Sequence, residues 1–481
     1  MNDERQITRG DMMKSREQGP QNQPGGIIYK LLRIFTVIKP GEALTIFLLG
    51  SNVFLLILSY AILKPLRSGL FLTSYSSEQK AYMHGIMAIV FIFFNKAFSR
   101  LASKVPRQKL ITWVTLFFIS NIVLFFILDQ LGVPMATIGP IYFVWLGIFN
   151  IMIIAQFWGF ANDLYNPEQG KRLFPMIMAA QNIGAAFGFS IAFFFVQKLG
   201  LYPMMLLAGG ILIICIVLTN IVHRRELKIF VEKEKSKQDK KADDKDEAEK
   251  PLGKEGGFQL VFKSRYLLYI AFLILTLNLV NTTGEYIRDT VFKHKAEETI
   301  QVDMADFEKA KSEYLSKLES GFQAISGYLA IAIQLLLVSR LFSWIGIRGA
   351  LFILPLISLG GNFFIASLGA SFMVVQWAKI FENSTDYSLM NALRAALYLV
   401  TSREAKYKAK AVIDTFFVRA GDFLTGLFVF LGTTYLAFNP ERFAKLNIFI
   451  ILIWLVLCYL IVKQHKKISA LKEQERHGVA R

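Results

Sequence analysis

Long apolar blocks separated by short polar segments dominate this chain. Blocks such as Ala43–Leu63 and Leu446–Val462 approach the roughly 20 apolar residues that cross a ~30 Å hydrocarbon core at ~1.5 Å per residue. The pattern predicts an all-α membrane protein with about twelve transmembrane helices. The predicted spans are 43–63, 80–98, 109–128, 138–158, 175–197, 203–222, 264–284, 322–343, 349–368, 371–393, 412–437 and 446–462.

Polar segments divide these spans into two groups of six. The predicted domains are a cytoplasmic N-terminal tail (1–40), a first six-helix half (41–222), a charged cytoplasmic linker (223–263), a second six-helix half (264–463) with an extramembrane loop (285–321), and a cytoplasmic C-terminal tail (464–481). The linker is dense in Lys, Asp and Glu, as expected of a solvated spacer. In the long loop, Met304–Leu318 has helical periodicity and predicts a surface helix outside the membrane.

The two halves share short repeated segments. The aligned pieces are Leu66-Arg67 and Phe71 with Ile287-Arg288 and Phe292, and Asn95–Ser99 with Ser339–Ser343. Each piece lies at the corresponding place after the first or second helix of its half. Repeated six-helix halves joined by a charged cytoplasmic loop are typical of a major-facilitator-like fold, in which the halves rock around a substrate near the midplane.

The charge distribution bears on orientation and on partners. The net charge is +18, but the basic residues lie between apolar blocks, which fits the positive-inside rule better than nucleic-acid binding. Even-numbered loops carry Lys and Arg whereas the third loop, Asp129–Thr137, carries none, so both termini are predicted to be cytoplasmic in a bacterial inner membrane. Cys215 and Cys458 lie in apolar blocks and are interpreted as small core residues. No pair of His residues has ligand spacing, and we expect no metal and no cofactor.

Ionisable residues at helix ends are the first candidates for function, because a charge at the centre of a membrane helix costs ~2.5–3.5 kcal/mol. Lys64 and Arg67 lie three residues apart on one face near the end of the first helix. Glu285 and Arg288 lie at the matching end of the seventh helix. If the repeat holds, Arg67 and Arg288 both face the cavity and bind phosphate. The alternative is that they snorkel to the outer interface.

Polar residues also gather where the fourth helix ends. Asn162 and Asp163 precede Lys171 and Arg172, so an amide, a carboxylate and two cations meet at one cytoplasmic mouth. The alternative is an interhelical latch between Asp163 and a basic partner.

The fifth helix combines amides with small side chains. Asn182 precedes Gly184-Ala185-Ala186, a run that allows close helix packing. The amide serves either a nucleobase or a neighbouring helix, and the small residues favour packing.

The richest stretch of ionisable residues is 401–422. Lys406 and Lys410 are one helical turn apart, which suits a di- or triphosphate, although a positive-inside anchor is the alternative. Asp414, Arg419 and Asp422 lie in an otherwise apolar helix. Arg419 and Asp422 are predicted to form an intramembrane ion pair that opens when substrate takes one partner.

Two of these stretches resemble the non-mitochondrial ATP/ADP translocase family of plastids and intracellular bacteria. They are Phe157-Trp158-Gly159-Phe160-Ala161-Asn162-Asp163 with Lys171-Arg172-Leu173-Phe174-Pro175, and Lys406-Tyr407-Lys408-Ala409-Lys410-Ala411-Val412-Ile413-Asp414. The resemblance implies a twelve-helix nucleotide exchanger. It places Arg67 where the family has a required lysine and one of Lys406, Lys408 or Lys410 where it has a second.

The chain departs from the family pattern at two acidic positions. They are Leu146 and Asn281 here, and Glu285, one turn beyond Asn281, is the expected replacement. The resemblance therefore implies a divergent member. We expect a monomeric secondary transporter in the lipid bilayer, and not an enzyme, that exchanges ATP for ADP. Another organic anion as substrate, or a non-transporting scaffold, are the alternatives.

Overall fold

The computed structural model describes residues 42–102, 105, 107–165, 167–236, 256–300, 304–402 and 404–479. In these residues the regular elements are helices. The first eight are α1 (Ala43–Ser74), α2 (Ser77–Ala102), α3 (Arg107–Gln130), α4 (Met135–Leu164), α5 (Pro167–Leu199), α6 (Leu201–Ser236), α7 (Gly257–Lys263) and α8 (Arg265–Thr299). The others are α9 (Met304–Ile333), α10 (Ser339–Trp344), α11 (Gly346–Ala350), α12 (Ile353–Leu368), α13 (Phe372–Thr385), α14 (Asn391–Leu397), α15 (Lys410–Val412), α16 (Val418–Thr434) and α17 (Pro440–Val479).

Wider turns interrupt the second half of the chain. Among the described residues, four π-helical segments connect α-helices there, at Gln334–Val338, Asp386–Met390, Ala405–Ala409 and Ile413–Phe417, and a short 3₁₀ turn spans Tyr398–Val400. A π-helical turn bonds residue i to i+5 and often marks a functional site. Three of the four lie in or next to stretches with charged side chains.

The all-α, multi-pass class is confirmed. Ten helices in the described part of the chain are long and apolar enough to cross a membrane. The predicted spans 80–98 and 371–393 are not among them. The span 371–393 carries Lys379, Glu382 and Asp386, and these charged residues lower its mean hydropathy. The total of twelve stays a prediction.

Helices extend through segments that we predicted to be a loop and a tail. α8 continues 15 residues beyond the predicted span, to Thr299, and α9 begins at Met304 and runs to Ile333. The predicted surface helix is therefore the first half of a longer one. α8 can continue because Arg288 and Asp289 are buried against charged partners rather than exposed. α17 likewise runs into the predicted C-terminal tail.

The chain divides into two compact units. Among the described residues, the N-terminal unit holds those up to Ser68 and residues 94–236, and the C-terminal unit holds Gly69–Phe93 and the residues from 256 onward. The last turns of α1 and most of α2 thus pack with the C-terminal helices, which the sequence did not predict. Residues 237–255 of the predicted linker, 223–263, lie outside the described residues, whereas α6 continues to Ser236 and α7 occupies Gly257–Lys263.

Close helix contact and aromatic packing build the N-terminal unit. A Cβ on Gly184 would lie 2.4 Å from the Phe54 carbonyl oxygen of α1, and one on Gly188 would lie 2.5 Å from the Leu58 carbonyl oxygen. The predicted close packing of the small residues in α5 is thereby confirmed. Between α3 and α4, the Trp145 ring packs edge to face against Phe118, 5.8 Å between centroids.

α8 is central to the C-terminal unit and packs against α13, α16 and α17. Its buried apolar side chains form one cluster with α17, where Trp454 is fully buried. The exposed faces of the spanning helices carry large apolar residues such as Phe363 and Phe449. Such faces suit contact with lipid.

Candidate substrate site

Arg67 and Lys64 lie against aromatic rings of the N-terminal unit. The Arg67 guanidinium is 4.6 Å from the Phe143 ring centroid, and its Nε is buried without a hydrogen-bond partner in the described part of the chain. The Lys64 ammonium is 5.6 Å from the Phe189 ring. Such stacking holds a cation in place while leaving donors for an anion. Arg67 therefore has donor capacity to spare.

The polar residues at the end of α4 and the start of α5 differ in their burial and in their contacts. Arg172 donates to both carboxylate oxygens of Glu42, at 2.9 and 2.8 Å, in a bidentate pair. Asn162 is exposed and Asp163 is half-buried at the end of α4, and Lys171 lies in α5. The partner of Arg172 described in the structure is thus a residue before α1 that the sequence did not suggest.

Asn182 is half-buried in α5, two residues before Gly184 of the α1–α5 contact.

Arg288 has surroundings unlike those of Arg67, although the repeat aligns the two. It is 2% exposed and lies 3.0 Å from Asp289 and 3.1 Å from Glu319. Lys80 lies 2.7 Å from the other Asp289 oxygen. The expectation that Arg288 faces an open cavity is therefore not met, because two carboxylates and the Phe322 ring, 4.6 Å away, surround it. Only the tertiary packing brings these groups together.

Further contacts bind Tyr75–Lys80 to α8. Ser77 and Thr290 hydroxyls lie 2.7 Å apart, Tyr286 donates to Glu78 at 3.1 Å, and Lys293 donates to the Tyr75 carbonyl at 2.9 Å. The ion pairs around Arg288 are thus flanked by hydrogen bonds between the segment Tyr75–Lys80 and α8.

Asn281 and Glu285 have separate partners in the C-terminal unit. The Lys379 ammonium donates to Asn281 Oδ1 at 3.2 Å and to Glu382 at 2.8 Å. Glu285 lies 3.9 Å from His84 Nε2. Asn281 therefore holds a buried cation of α13.

Sequence reasoning missed Lys379 and Glu382. They lie in the predicted span 371–393, where the cost of a membrane charge that drew attention to Arg419 also applies. Applying that criterion to every span would have found them.

The predicted pair of Arg419 and Asp422 is confirmed. Arg419 Nη1 donates to Asp422 at 2.8 Å, and the guanidinium is 4.5 Å from the Phe91 ring. Asp422 also accepts from Asn278 at 2.7 Å. Asp422 is buried, while Arg419 is more exposed, so the cation is the more accessible member of the pair.

We expect Arg419→Met and Asp422→Asn each to reduce transport more than the double variant. An unpaired charge in a low-dielectric site costs more than an absent pair. A double-mutant cycle on exchange rate measures the coupling, and ~0.5–3 kcal/mol is typical of residues in contact. Strictly additive losses would mean that the pair has no functional coupling.

Lys406, Lys410 and Asp414 lie on consecutive turns that include two π-helical segments. Lys410 pairs with Asp414 at 2.7 Å, and its ammonium is 5.9 Å from the Tyr398 ring. Burial raises the pKa of the Tyr398 phenol, so the ring stays neutral beside that cation. Lys406 is exposed and Lys410 is half-buried, so the two lysines are not presented equally as a regular helical turn would suggest.

Most of the chain, from within α4 to within α17, matches a known protein family. A family model described as TLC ATP/ADP transporter matches residues 141–465. The chain belongs to this family. The resemblance inferred from the two motifs is therefore confirmed.

The family's named relatives are distant from this chain. It is 25% identical over 371 residues to ADP,ATP carrier protein 1 of Chlamydia pneumoniae, covering 68% of this chain and 67% of the relative. The protein of the same name in Chlamydia trachomatis is 25% identical over 374 residues, covering 68% and 65%. The chain thus spans about two thirds of the length of these curated relatives.

Solved structures show the fold. A bacterial homologue of the human lysosomal transporter Spinster matches with a TM-score of 0.56 at 13% identity, over 90% of this chain and 99% of that one. The nucleoside transporter NupG matches with a TM-score of 0.53 at 13% identity, over 87% and 98%. The major-facilitator-like class is thereby confirmed, and the family and the structural neighbours are transporters.

Proposed function

We propose that this protein is a secondary transporter that exchanges nucleotides, ATP for ADP, across a bacterial inner membrane by alternating access. Support comes from membership of the TLC ATP/ADP transporter family and from cations inside an apolar helical bundle. The observation that carries the proposal is Arg67. It is a partly buried guanidinium, stacked on an aromatic ring, whose Nε has no hydrogen-bond partner in the described residues.

The proposed roles follow the chemistry of each side chain. Cations bind the phosphates, and amides and carboxylates orient the substrate or pair with cations when it is absent. The phosphate ligands are Lys64, Arg67, Lys406, Lys410 and Arg419. The polar and acidic set is Asn162, Asp163, Asn182, Asn281, Glu285, Asp414 and Asp422, with Lys171 and Arg172 at the cytoplasmic mouth. Both termini and the linker lie in the cytoplasm.

Arg288 takes a different role in this proposal. Its guanidinium lies against Asp289 and Glu319 through Nη2, so we assign it to stabilising the helices, even though its Nε and Nη1 have no hydrogen-bond partner in the described residues. The proposed substrate ligands therefore exclude it.

We expect Arg67→Gln to raise the apparent KM for a nucleoside triphosphate by roughly 10- to 150-fold. A lost charge-assisted contact typically costs ~1.5–3 kcal/mol. The effect on a monophosphate should be smaller because it offers fewer anionic oxygens. The measurement is counterflow into proteoliposomes with labelled ATP, ADP and AMP and a panel of small organic anions.

Lys198→Gln is the matched control. Lys198 lies at the exposed end of α5, 5.9 Å from the Phe195 ring, so it is also a cation beside an aromatic residue. It should leave KM unchanged. An equal effect of Arg67→Gln on mono-, di- and triphosphate would reject phosphate binding by this residue. Counterflow of organic anions without counterflow of any nucleotide would reject nucleotide exchange.

A further inference from the structure

Four charged side chains form a cluster that the proposed substrate site does not use, and two of them are buried while the other two are partly exposed. Lys379 and Glu382 lie on α13, Asp386 begins the π-helical segment Asp386–Met390, and Arg394 lies on α14. The first three fall in the predicted span 371–393. Ionisable residues in membrane helices are costly to bury and commonly mark ion or proton pathways.

Lys379 and Glu382 form a closed, neutral pair. Their side chains are 3% and 8% exposed and lie 2.8 Å apart. The Lys379 ammonium also donates to Asn281 Oδ1 at 3.2 Å. α8 accommodates it with a glycine, since a Cβ on Gly284 would lie 2.5 Å from Lys379 Nζ. Both charges are therefore compensated in place.

Asp386 and Arg394 are close to each other but do not form a hydrogen bond. Arg394 Nη2 lies 3.9 Å from Asp386 Oδ1. Both Asp386 Oδ1 and Arg394 Nε are buried and have no hydrogen-bond partner in the described residues. An ionised carboxylate with a buried unpaired oxygen is costly, whereas the neutral acid is cheaper to bury. This geometry favours a proton on Asp386.

Few other charges act on Asp386. Within the described residues these are Lys379 and Glu382, on the same helix, besides Arg394. The segments α9, Gln334–Val338 and α12 also pack around Asp386–Met390. The part of α9 that follows Glu319, the segment Gln334–Val338 and α12 contain no Asp, Glu, Lys, Arg or His. Formation or loss of the pair with Arg394 would therefore control whether Asp386 is charged.

The π-helical geometry supplies a way to change that pair. Asp386 lies at the first position of a π-helical segment, where one wide turn replaces an α-helical one. A return to α-helical geometry would rotate Arg394 relative to Asp386, because one residue corresponds to ~100° of rotation in an α-helix with 3.6 residues per turn. Closing the pair would stabilise the ionised carboxylate.

We propose that Asp386 is a proton-binding site that couples nucleotide uptake to proton uptake. The inference rests on the proposed transport function. One proton from water on the outer side bonds to a carboxylate oxygen of Asp386 while Arg394 is apart. It returns to water on the inner side when Arg394 pairs with the carboxylate. Coupling requires that the bound proton and the bound nucleotide favour the same state of the protein.

The test uses the full chain in proteoliposomes, with the membrane potential clamped at zero and a pH-sensitive dye trapped inside. In the wild-type protein, an acidic exterior should drive labelled ATP inward and acidify the lumen. With one proton per nucleotide, the accumulation ratio rises about tenfold per unit of pH difference. Asp386→Asn should keep counterflow at equal pH but lose both gradient-driven accumulation and dye response.

Glu298→Gln is the control. Glu298 is an exposed carboxylate of α8 paired with His294 and Lys295, and its removal should leave the gradient response intact. Asp386→Glu should restore part of the response. A gradient response retained in Asp386→Asn would overturn the assignment of Asp386. No gradient response in a wild-type protein that performs nucleotide counterflow would overturn proton coupling. Absent counterflow of nucleotides in the wild type would instead count against the proposed function.

A second measurement uses the wild-type protein, so it does not require that a variant folds. A hydrophobic carbodiimide reacts with protonated carboxyl groups in apolar surroundings. Mass spectrometry of the treated wild-type protein should find the adduct on Asp386, decreasing as pH rises, and not on Glu382, which is paired with Lys379. Modification of Glu382 in preference to Asp386 would overturn the assignment.

Discussion

Arg288→Met should strongly reduce the amount of folded protein in the membrane. Asp289 keeps Lys80 as a partner, 2.7 Å away. Glu319 loses its guanidinium and, among the described residues, keeps Gln323, which donates to it at 2.9 Å. Breaking a buried ion pair by removing one partner typically costs ~3–5 kcal/mol, a large part of the stability of many proteins. Abundance in membranes and the temperature of aggregation in detergent measure the effect.

Two variants distinguish the loss of the buried ion pair with Glu319 from the mere loss of a positive charge. Lys295→Gln removes a more exposed cation of the same helix and should leave abundance unchanged. The double variant Arg288→Met with Glu319→Gln should recover much of the lost protein, because the orphaned carboxylate becomes neutral. Normal abundance of Arg288→Met, with a raised KM for triphosphate, would show that Arg288 binds phosphate.

Gly184→Leu should also prevent normal folding. Even the Cβ of the new side chain would lie 2.4 Å from the Phe54 carbonyl oxygen and 3.0 Å from its Cα. These are backbone atoms of α1, so the helix itself must move. Overpacking a close contact commonly costs 1–3 kcal/mol and sometimes more, and membrane helix association depends on such contacts. Abundance in membranes and monodispersity in detergent should both fall.

Gly210→Leu provides the matched control for that substitution. Gly210 lies in α6, another spanning helix, and a Cβ there would meet no atom within 4 Å. Leucine also forms helices better than glycine, so this variant should accumulate at least as well as the wild type. Equal abundance of both leucine variants would mean that α1 and α5 are not in close contact at Gly184.

The pairing of Arg419 with Asp422 illustrates what spacing along a helix can predict. Residues three apart in one helix face the same side, so their contact follows from local geometry. The pair at 2.8 Å was therefore predictable. By contrast, Arg172 and Glu42 lie 130 positions apart, and no local rule relates them.

The π-helical segments show where local rules fail. Spacing of four residues predicts that Lys406 and Lys410 share a face, but Ala405–Ala409 is π-helical and the lysines differ in exposure. Wide turns arise where packing and side-chain interactions outweigh the preference for α-helical hydrogen bonds, so the sequence period alone does not reveal them.

By itself, the sequence determined the all-helical membrane class, the close packing at Gly184 and the Arg419–Asp422 pair. Apolar block length suffices for the first because a chain in lipid must satisfy its backbone hydrogen bonds within each helix. The tertiary structure alone decided that Arg288 is enclosed by carboxylates and that Lys379 contacts Asn281. Those contacts join separate helices, and their existence depends on how the helices rotate and pack, which hydrophobic length does not specify.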